Sequence, residues 1–414
     1  VRGRIGDAPY KIGHMTFLTG AGAVLAASMH KGHILAVEEI NAGGGLLGRR
    51  KITTIASDES AGTLANVNEL KRMKREGRID AFSGGAASDT TSALGPVAEE
   101  LRILAIFVDG STDLLFERYL PRPKYVFRVN NLQSTDGAAC AVAVAKTWPE
   151  VRRVAFLSPD HWYGRSVFEH FHVAIKKLLP GASGLAELRV PVNVDDFPAT
   201  IRRVDALKPD LVVSGLWGSD YGTFYRQGLA AGLFRRVRFA TTLAFGVVPH
   251  TIGTDHPDGV MAGARSSYHW NLPAEGVEPA SQRFVRQYHA RWNEYPNYAA
   301  EGAYTALHLL RVAIERANQV SGGWPEDEVI IGQLEGLTWE SPAGRIVIRP
   351  ENHQGYRDVV LGFSHHDARY PFTVLDPRRL VRVPIRTITA PAGWPAGPPS
   401  ATYRWIEKTW PSAQ

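Results

Sequence analysis

The chain has 414 residues, 44% of them hydrophobic and 21% charged, with a formal net charge of +6 and one cysteine. That length exceeds one ordinary core, so two α/β domains are the default, and the composition excludes a disordered chain. Cys140, alone in GAACAVAVA, excludes an internal disulfide, a CxxC redox pair and a cysteine-rich zinc site, and reads as packing on a buried helix face.

The apolar runs carry charges and fall short of the roughly 20 residues a membrane span needs. The N-terminus, VRGRIGDAPYK, is polar and has no apolar stretch of an export signal. It fits a cytosolic protein or the mature form of an exported one. Lys and Arg are spread along the chain. The densest run, LKRMKREGR, reads as the solvated face of one helix with Leu70 and Met73 inward, so no nucleic-acid partner is expected.

Strand and helix patterns then alternate. KIGHMTFL is a strand, and SMHKGHILAVEEIN a helix with Ile34, Val37 and Ile40 on its apolar stripe. KITTIA is a strand, TLANVNELKRMKRE a helix, IDAFSG a strand and TTSALGPVAEEL partly helical. RILAIFV is nearly continuously apolar, as a strand covered on both faces should be. KYVFRVN closes this block.

The rhythm restarts with helix GAACAVAVAKTW, strand RVAFLS, helix SVFEHFHVAIKKLL and strand LAELRVP. Helix FPATIRRVDAL carries its proline in the first turn, where it is tolerated. Strand PDLVVSGL, helix YGTFYRQGLAAGL and strand VRFATTLAF follow, then the long helices ASQRFVRQYHARWNEY and YAAEGAYTALHLLRVAIERANQ. This order predicts an α/β protein of two Rossmann-like lobes with parallel sheets. From about Asp376 the chain carries Pro377, Pro384, Pro391, Pro395, Pro398, Pro399 and Pro411. Residues 376–414 therefore read as an irregular arm, pinned to a lobe by Trp394, Tyr403, Trp405 and Trp410, with a disordered linker as the alternative.

NAGGGLLGRRKI contains G-x-G-x-x-G at Gly43, Gly45 and Gly48. A dinucleotide fingerprint needs strand, glycines, then helix, so that the pyrophosphate rests on a helix N-terminus. Here a helix ends at Asn41 and a strand begins at Lys51, so the glycines meet a helix C-terminus whose dipole repels phosphate. They read as a helix stop and a tight turn. Arg49 and Arg50 after Gly48 exclude a Walker A loop. H-E-x-x-H and G-x-S-x-G are absent, and His365-His366-Asp367 in an extended segment point to opposite faces, which makes joint metal ligation awkward. No cofactor and no metal are implied, and an enzyme on a doubly wound fold lacks its cofactor loop.

KIGHMTFLTGAGAVLAASMHKGHILAVEEINAGGGLLGRRKI resembles the N-terminal signature of the leucine/isoleucine/valine-binding protein family, solute receptors of ABC importers with the type I periplasmic binding fold. DAFSGGAASDTTSALGPVAEE, YVFRVNNLQSTDGA, DHWYGRSVFEHF, DFPATIRRVDALKPDLVVSG and NYAAEGAYTALHLLRVAIERA resemble the family in the same order, over about residues 11–365. The resemblance implies lobe one from 11–132 and 268–343 and lobe two from 133–267 and 344–375. Three hinge crossovers would lie near Asn131 to Gln133, Ala264 to Tyr268 and Gly344, with a ligand trapped in the cleft between the lobes.

The resemblance also implies the site. Ser88 matches a position whose hydroxyl contacts the ligand carboxylate, or caps a helix. Gly110 and Ser111 match positions that grip an α-amino acid head, or form a turn. Tyr163 matches a closing residue of lobe two, Leu25 stands where the family often has an aromatic ring, and Trp217 and Phe245 are further candidates, with His30, His161 and Trp162 around them. Leu243 stands where amino acid binders often carry an acid for the ligand ammonium. Asp109, Asp220 or Glu301 would have to replace it, Glu301 best placed. Without such an acid a buried ammonium is uncompensated. The expected ligand is then a small aromatic or branched carboxylate, with an amino acid as the alternative. The expected partner is an ABC permease in the inner membrane, the expected location the periplasm, and a sensor of the same fold the alternative function.

Overall fold

The computed structural model describes residues 6–20, 22–243, 251–263, 265 and 278–412. In chain order the strands are β1 (Tyr10–Thr16), β2 (Ile52–Asp58), β3 (Ala81–Gly84), β4 (Leu104–Phe107), β5 (Val126–Arg128), β6 (Arg153–Pro159), β7 (Gly184–Val190) and β8 (Leu211–Ser214). There follow β9 (Arg238–Thr241), β10 (Met261–Gly263), β11 (Thr338–Ser341), β12 (Gly344–Ile348), β13 (Gly355–Tyr356), β14 (Val359–His365) and β15 (Val374–Val383). The chain divides into two units. Unit 1 is Val1–Asn131 with Ala274–Arg357, and unit 2 is Leu132–Pro273 with Asp358–Gln414.

Unit 1 carries a parallel sheet in the order β2-β1-β3-β4-β5. Short strands suffice because both faces are covered: β3 and β4 are buried at every residue. On one side Leu70, Met73, Leu94 and Leu115 pack on Met15, Phe82 and Phe107. The helices Ala23–Ala42 and Tyr298–Ser321 pack together so closely that a Cβ on Gly32 would fall 2.0 Å from the carbonyl oxygen of Ala300.

The fingerprint glycines stand at the end of the helix Ala23–Ala42 and before β2. The turn follows through Gly44, Gly45 and Gly48, all with positive φ, and Leu46 bridges to Arg50. Gly45 donates to the carbonyl of Ile40, closing the helix end.

The second sheet of unit 1, β11-β12-β13, is antiparallel and is tied to the end of β5 by an Arg128–Gln354 bridge. This tie corrects the third crossover. The chain leaves unit 1 between Arg357 and Asp358, not near Gly344, because residues 338–356 are held to the first-lobe sheet. The first passage falls at 131/132, and the second, expected near Ala264 to Tyr268, lies outside the described residues.

Unit 2 repeats the parallel order in β7-β6-β8-β9-β10 and extends it with antiparallel β14 and β15. Leu157, Val212, Tyr221, Phe224, Tyr225 and Phe239 form its core. The proline-rich arm is more regular than its composition suggests. β15 runs through Pro377, which falls in the interrupted stretch between the Leu375–Ser364 and Leu380–Gly362 pairs, where no ladder donor is required. The arm ends in a helix, Ala401–Thr409, packed on the helix Trp162–Leu178. Buried Ile406 and a 2.6 Å bond between Ser400 Oγ and His170 Nε2 hold it, while Trp405 and Trp410 pack edge-on against each other and stay partly exposed.

Candidate functional site

Parallel sheets of the order found in both units bind ligands beyond the carboxyl ends of their strands. In unit 1 those ends lead into three loops, after β1, β3 and β4, and each loop is held from behind by a charged side chain. Asp58, the last residue of β2, accepts from Leu18 N at 3.0 Å and Thr19 Oγ1 at 2.5 Å, fixing the loop after β1. Burial opposes this charge, but the bonds from Thr19, Ser60 and Leu18 outweigh it and hold the carboxyl far below the usual carboxylate range.

Glu59, the next residue, is 1% exposed and turns the other way. Its two oxygens accept the backbone N–H groups of Ala86 and Ala87, both at 2.8 Å. Ala86 and Gly85 in turn offer their carbonyls to Gly110 N and Asp109 N, joining the loop after β3 to the loop after β4. That third loop is gripped by Arg128, which is fully buried and donates to the carbonyls of Gly110 and Thr112 at 2.5 and 2.9 Å. Gly110 has φ +64°, and a Cβ there would lie 2.1 Å from Thr91 Oγ1, so only glycine fits.

Ser88 is the first residue of the helix Ser88–Glu100. The cap position belongs to Ala87, which has no side-chain oxygen, so the hydroxyl of Ser88 is not used as a cap. Ser111 is buried at 3% exposure beside Gly110. Leu25 is half-buried in the first turn of the helix Ala23–Ala42, and its carbonyl accepts from Asn297 Nδ2 at 2.9 Å.

The acids proposed to hold an ammonium are committed elsewhere. Glu301 is fully buried and forms an ion pair with Arg357 at 2.5 Å, with Thr305 donating to its other oxygen at 2.6 Å. Arg357 also donates to Asn130 Oδ1, and its backbone exchanges two bonds with the Asn131 side chain. Glu301 thus belongs to a polar network that joins residues 130–131 to 357. Asp109 accepts from the hydroxyl of Tyr298 at 3.2 Å. Asp220, in unit 2, accepts the backbone N–H groups of Asn193 and Val194.

In unit 2 the corresponding ends carry Tyr163, Trp217 and Leu243. Tyr163 is 6% exposed, and its hydroxyl donates to Asp136 Oδ2 at 3.0 Å and lies 3.3 Å from Thr242 Oγ1. Asp136 pairs with Arg265 at 3.0 Å, with both side chains buried, and the guanidinium sits 5.6 Å from the Tyr163 ring centroid. Burial, reinforced by Asp136, pushes the Tyr163 phenol well above its ordinary value, so it is a neutral donor. Trp217 occupies the cap position of the helix Gly218–Ala230, with the His161 ring edge-on at 6.3 Å. Leu243 is buried at 4% exposure, and Phe245 lies outside the described residues. A groove of about 1080 Å³ in unit 2 lies at the opposite, amino ends of its strands, among Trp148, Arg152, Lys208, Phe234 and Arg236. None of the candidate residues lines it.

The braces Asp58, Glu59 and Arg128, and the Asp136–Arg265 pair, were missed in the sequence. The signal for the first two was the acidic end of a strand, in ASDES. No group of metal-ligating side chains occurs among the described residues.

Each of the two doubly wound units carries small-residue loops at the carboxyl ends of its strands. The sequence profile of the periplasmic binding proteins matches residues 9–362, and the chain belongs to that family. Its relatives include a Leu/Ile/Val-binding protein homolog of Brucella abortus, 23% identical over 87% of this chain and 89% of the relative. The leucine-, isoleucine-, valine-, threonine- and alanine-binding protein of Pseudomonas aeruginosa is 20% identical over 85% and 88%. Among solved structures, a Rhodopseudomonas palustris ABC transporter solute-binding protein in complex with 3,4-dihydroxybenzoic acid is similar at a TM-score of 0.78, with 20% identity over 93% of this chain and 100% of that one. A leucine-binding protein of Thermotoga maritima is similar at 0.73, with 20% identity over 91% and 99%.

Proposed function

We propose that the protein is the extracytoplasmic receptor of an ABC importer and that its solute is a small aromatic or branched carboxylate. The observation that carries the ligand class is the state of the acids. Leu243 replaces the acid expected after β9, and Asp109, Asp220 and Glu301 all accept hydrogen bonds or an ion pair within the fold. A ligand ammonium would enter a desolvated site without a dedicated counter-charge. A carboxylate meets better partners in the start of the helix Ser88–Glu100, with its uncapped first turn, and in Ser111. The solved relatives support the class, one holding 3,4-dihydroxybenzoic acid and another benzoate, although a third is named for leucine.

In this reading Ser88, Gly110 and Ser111 bind the carboxylate first, and Tyr163 and Trp217 close over the body of the ligand. The solute selects the closed form because only there does it touch both sets of residues. A micromolar affinity, about −8 kcal/mol, needs only a few charge-assisted hydrogen bonds and the burial of one ring. The closed form would then dock on a permease in the inner membrane, with the receptor working in the periplasm. The test is a thermal-shift screen of benzoate, 3,4-dihydroxybenzoate and branched 2-oxo acids against L-leucine, L-valine and L-phenylalanine. Stabilisation by the acids is expected. Stabilisation by the L-amino acids alone would sink the carboxylate reading.

A further inference from the structure

Asp58 and Glu59 are adjacent acids at the end of one strand, yet they hold two different loops in two different ways. Asp58 is half-exposed and bonded by a hydroxyl and two amides. Glu59 is sealed inside, and its carboxylate oxygens are the acceptors for two consecutive backbone amides that precede Ser88. Its own carbonyl is held by Asn66 Nδ2 at 2.9 Å, so the side chain is aimed from a fixed base. The same loop is joined to Gly110 through the bond from Gly110 N to the carbonyl of Ala86 at 3.0 Å.

We propose that Glu59 is a positioning residue that holds the loop after β3 in its binding shape and, through its own protonation, ties solute affinity to pH. This rests on the solute site proposed above. The ionised carboxylate offers strong acceptors on both oxygens. Once protonated, the oxygen that carries the proton accepts only weakly, so either the Ala86 or the Ala87 amide loses most of its bond. Burial pushes the Glu59 carboxyl up to about 7, against the pull of the Ala87 and Ala86 amides and the Thr90 hydroxyl. Asp89, on the helix Ser88–Glu100, adds a like charge in the same upward direction. Asp58, next in the chain, faces the other loop and stays ionised across this range. The remaining neighbour, Asn66, is neutral. The loop after β3 is therefore a pH-sensitive part of the site, while the loop after β1 is not.

The test uses the full chain labelled with ¹⁵N-alanine, with the Ala86 and Ala87 amide signals assigned from Ala86→Gly and Ala87→Gly variants. In the wild type both signals should shift between pH 6 and 8 with a midpoint near 7. They should be flat in Glu59→Gln and unchanged in midpoint in Asp58→Asn. In parallel, calorimetric titration with benzoate, which stays ionised over this range, should show about tenfold weaker binding at pH 6 than at pH 8 in the wild type. Glu59→Gln, with its melting temperature checked, should bind at the weaker level at both pH values. Amide signals that do not titrate would overturn the brace. Titrating amides with a pH-independent Kd would overturn its link to the site. Tighter binding at pH 6 would show that Glu59 acts by repelling the solute and not by holding the loop. Wild-type protein that binds benzoate at no pH would count against the ligand reading, and the amide titration would then decide the brace by itself.

Discussion

Replacing Glu301 with Gln probes the polar network behind the candidate site of unit 1. The pair it breaks is sealed, with Arg357 1% and Glu301 0% exposed at the side chain and 2.5 Å between them. Removing one partner of such a pair leaves a desolvated charge and costs about 3–5 kcal/mol. Arg357 keeps its bond to Asn130 in the variant, which favours the lower end, about 3 kcal/mol. For a unit of roughly 200 residues, each kcal/mol moves the melting temperature by about 2–4 °C, so a fall of about 6–12 °C is expected. Changing both partners at once, Glu301→Leu with Arg357→Met, removes the stranded charge and should recover most of that loss. Scanning calorimetry on the wild type, both single variants and the double variant measures this. A single variant that melts within 2 °C of the wild type, or a double variant that loses the sum of the singles, would refute the reasoning. So would a Glu301→Gln protein of normal stability that has lost its solute, because that is the behaviour of a ligand contact.

Gly32→Ala places a methyl group against the Ala300 carbonyl, and it should cost about 3 kcal/mol by forcing the two helices of unit 1 apart; equilibrium denaturation measures it, and a neutral change would contradict the packing. Ile406→Ala should cost about 2–4 kcal/mol and speed proteolysis of residues 384–412, since Ile406 is the fully buried residue of the terminal helix; cleavage at the wild-type rate would show that the arm is held otherwise. His308 is buried with no hydrogen-bond partner among the described residues, its Nε2 4.0 Å from Glu39 Oε2, and burial lowers its pKa from 6.5 to about 3. The folded state therefore binds fewer protons than the unfolded one between those values, so the stability is full above pH 6.5 and is lost as pH falls toward 3, about 2 kcal/mol of it by pH 5. Glu59 works in the opposite sense, because its raised pKa favours the folded state as pH falls from 7 toward the usual glutamate range. The check is thus the difference in pH slope of urea stability between wild type and His308→Gln; parallel slopes would contradict it.

The alternation of strands and helices was legible because it is written locally. RILAIFV is apolar at nearly every position, and the β4 it contains is buried on both faces. The wrong-way fingerprint was legible for the same reason, since the order of helix, glycines and strand is a property of one short stretch. The candidate positions were legible only as residues of loops that follow strands. Ser88, Gly110, Ser111, Tyr163 and Trp217 do follow the carboxyl ends of their strands. The charges that shape those loops were not legible, because Glu59 acts on amides 27 and 28 residues away and Arg128 reaches carbonyls 16 and 18 residues back. Arg128 sits in a segment whose pattern says only strand. The ion pair of Glu301 was not legible because its partner, Arg357, is 56 residues further on. The arm was misjudged because proline content was weighed without the pairing partner that makes Pro377 harmless in β15.

The central claim is that Ser88 and Ser111 receive the carboxylate of a small organic acid. Native mass spectrometry of protein purified without added solute tests it directly, comparing wild type with the double variant Ser88→Ala, Ser111→Ala. The account predicts one retained organic acid in the wild type and its loss from the variant, with the melting temperature of the unliganded protein unchanged. A retained molecule without a carboxylate, or an acid retained equally by both proteins, would contradict it.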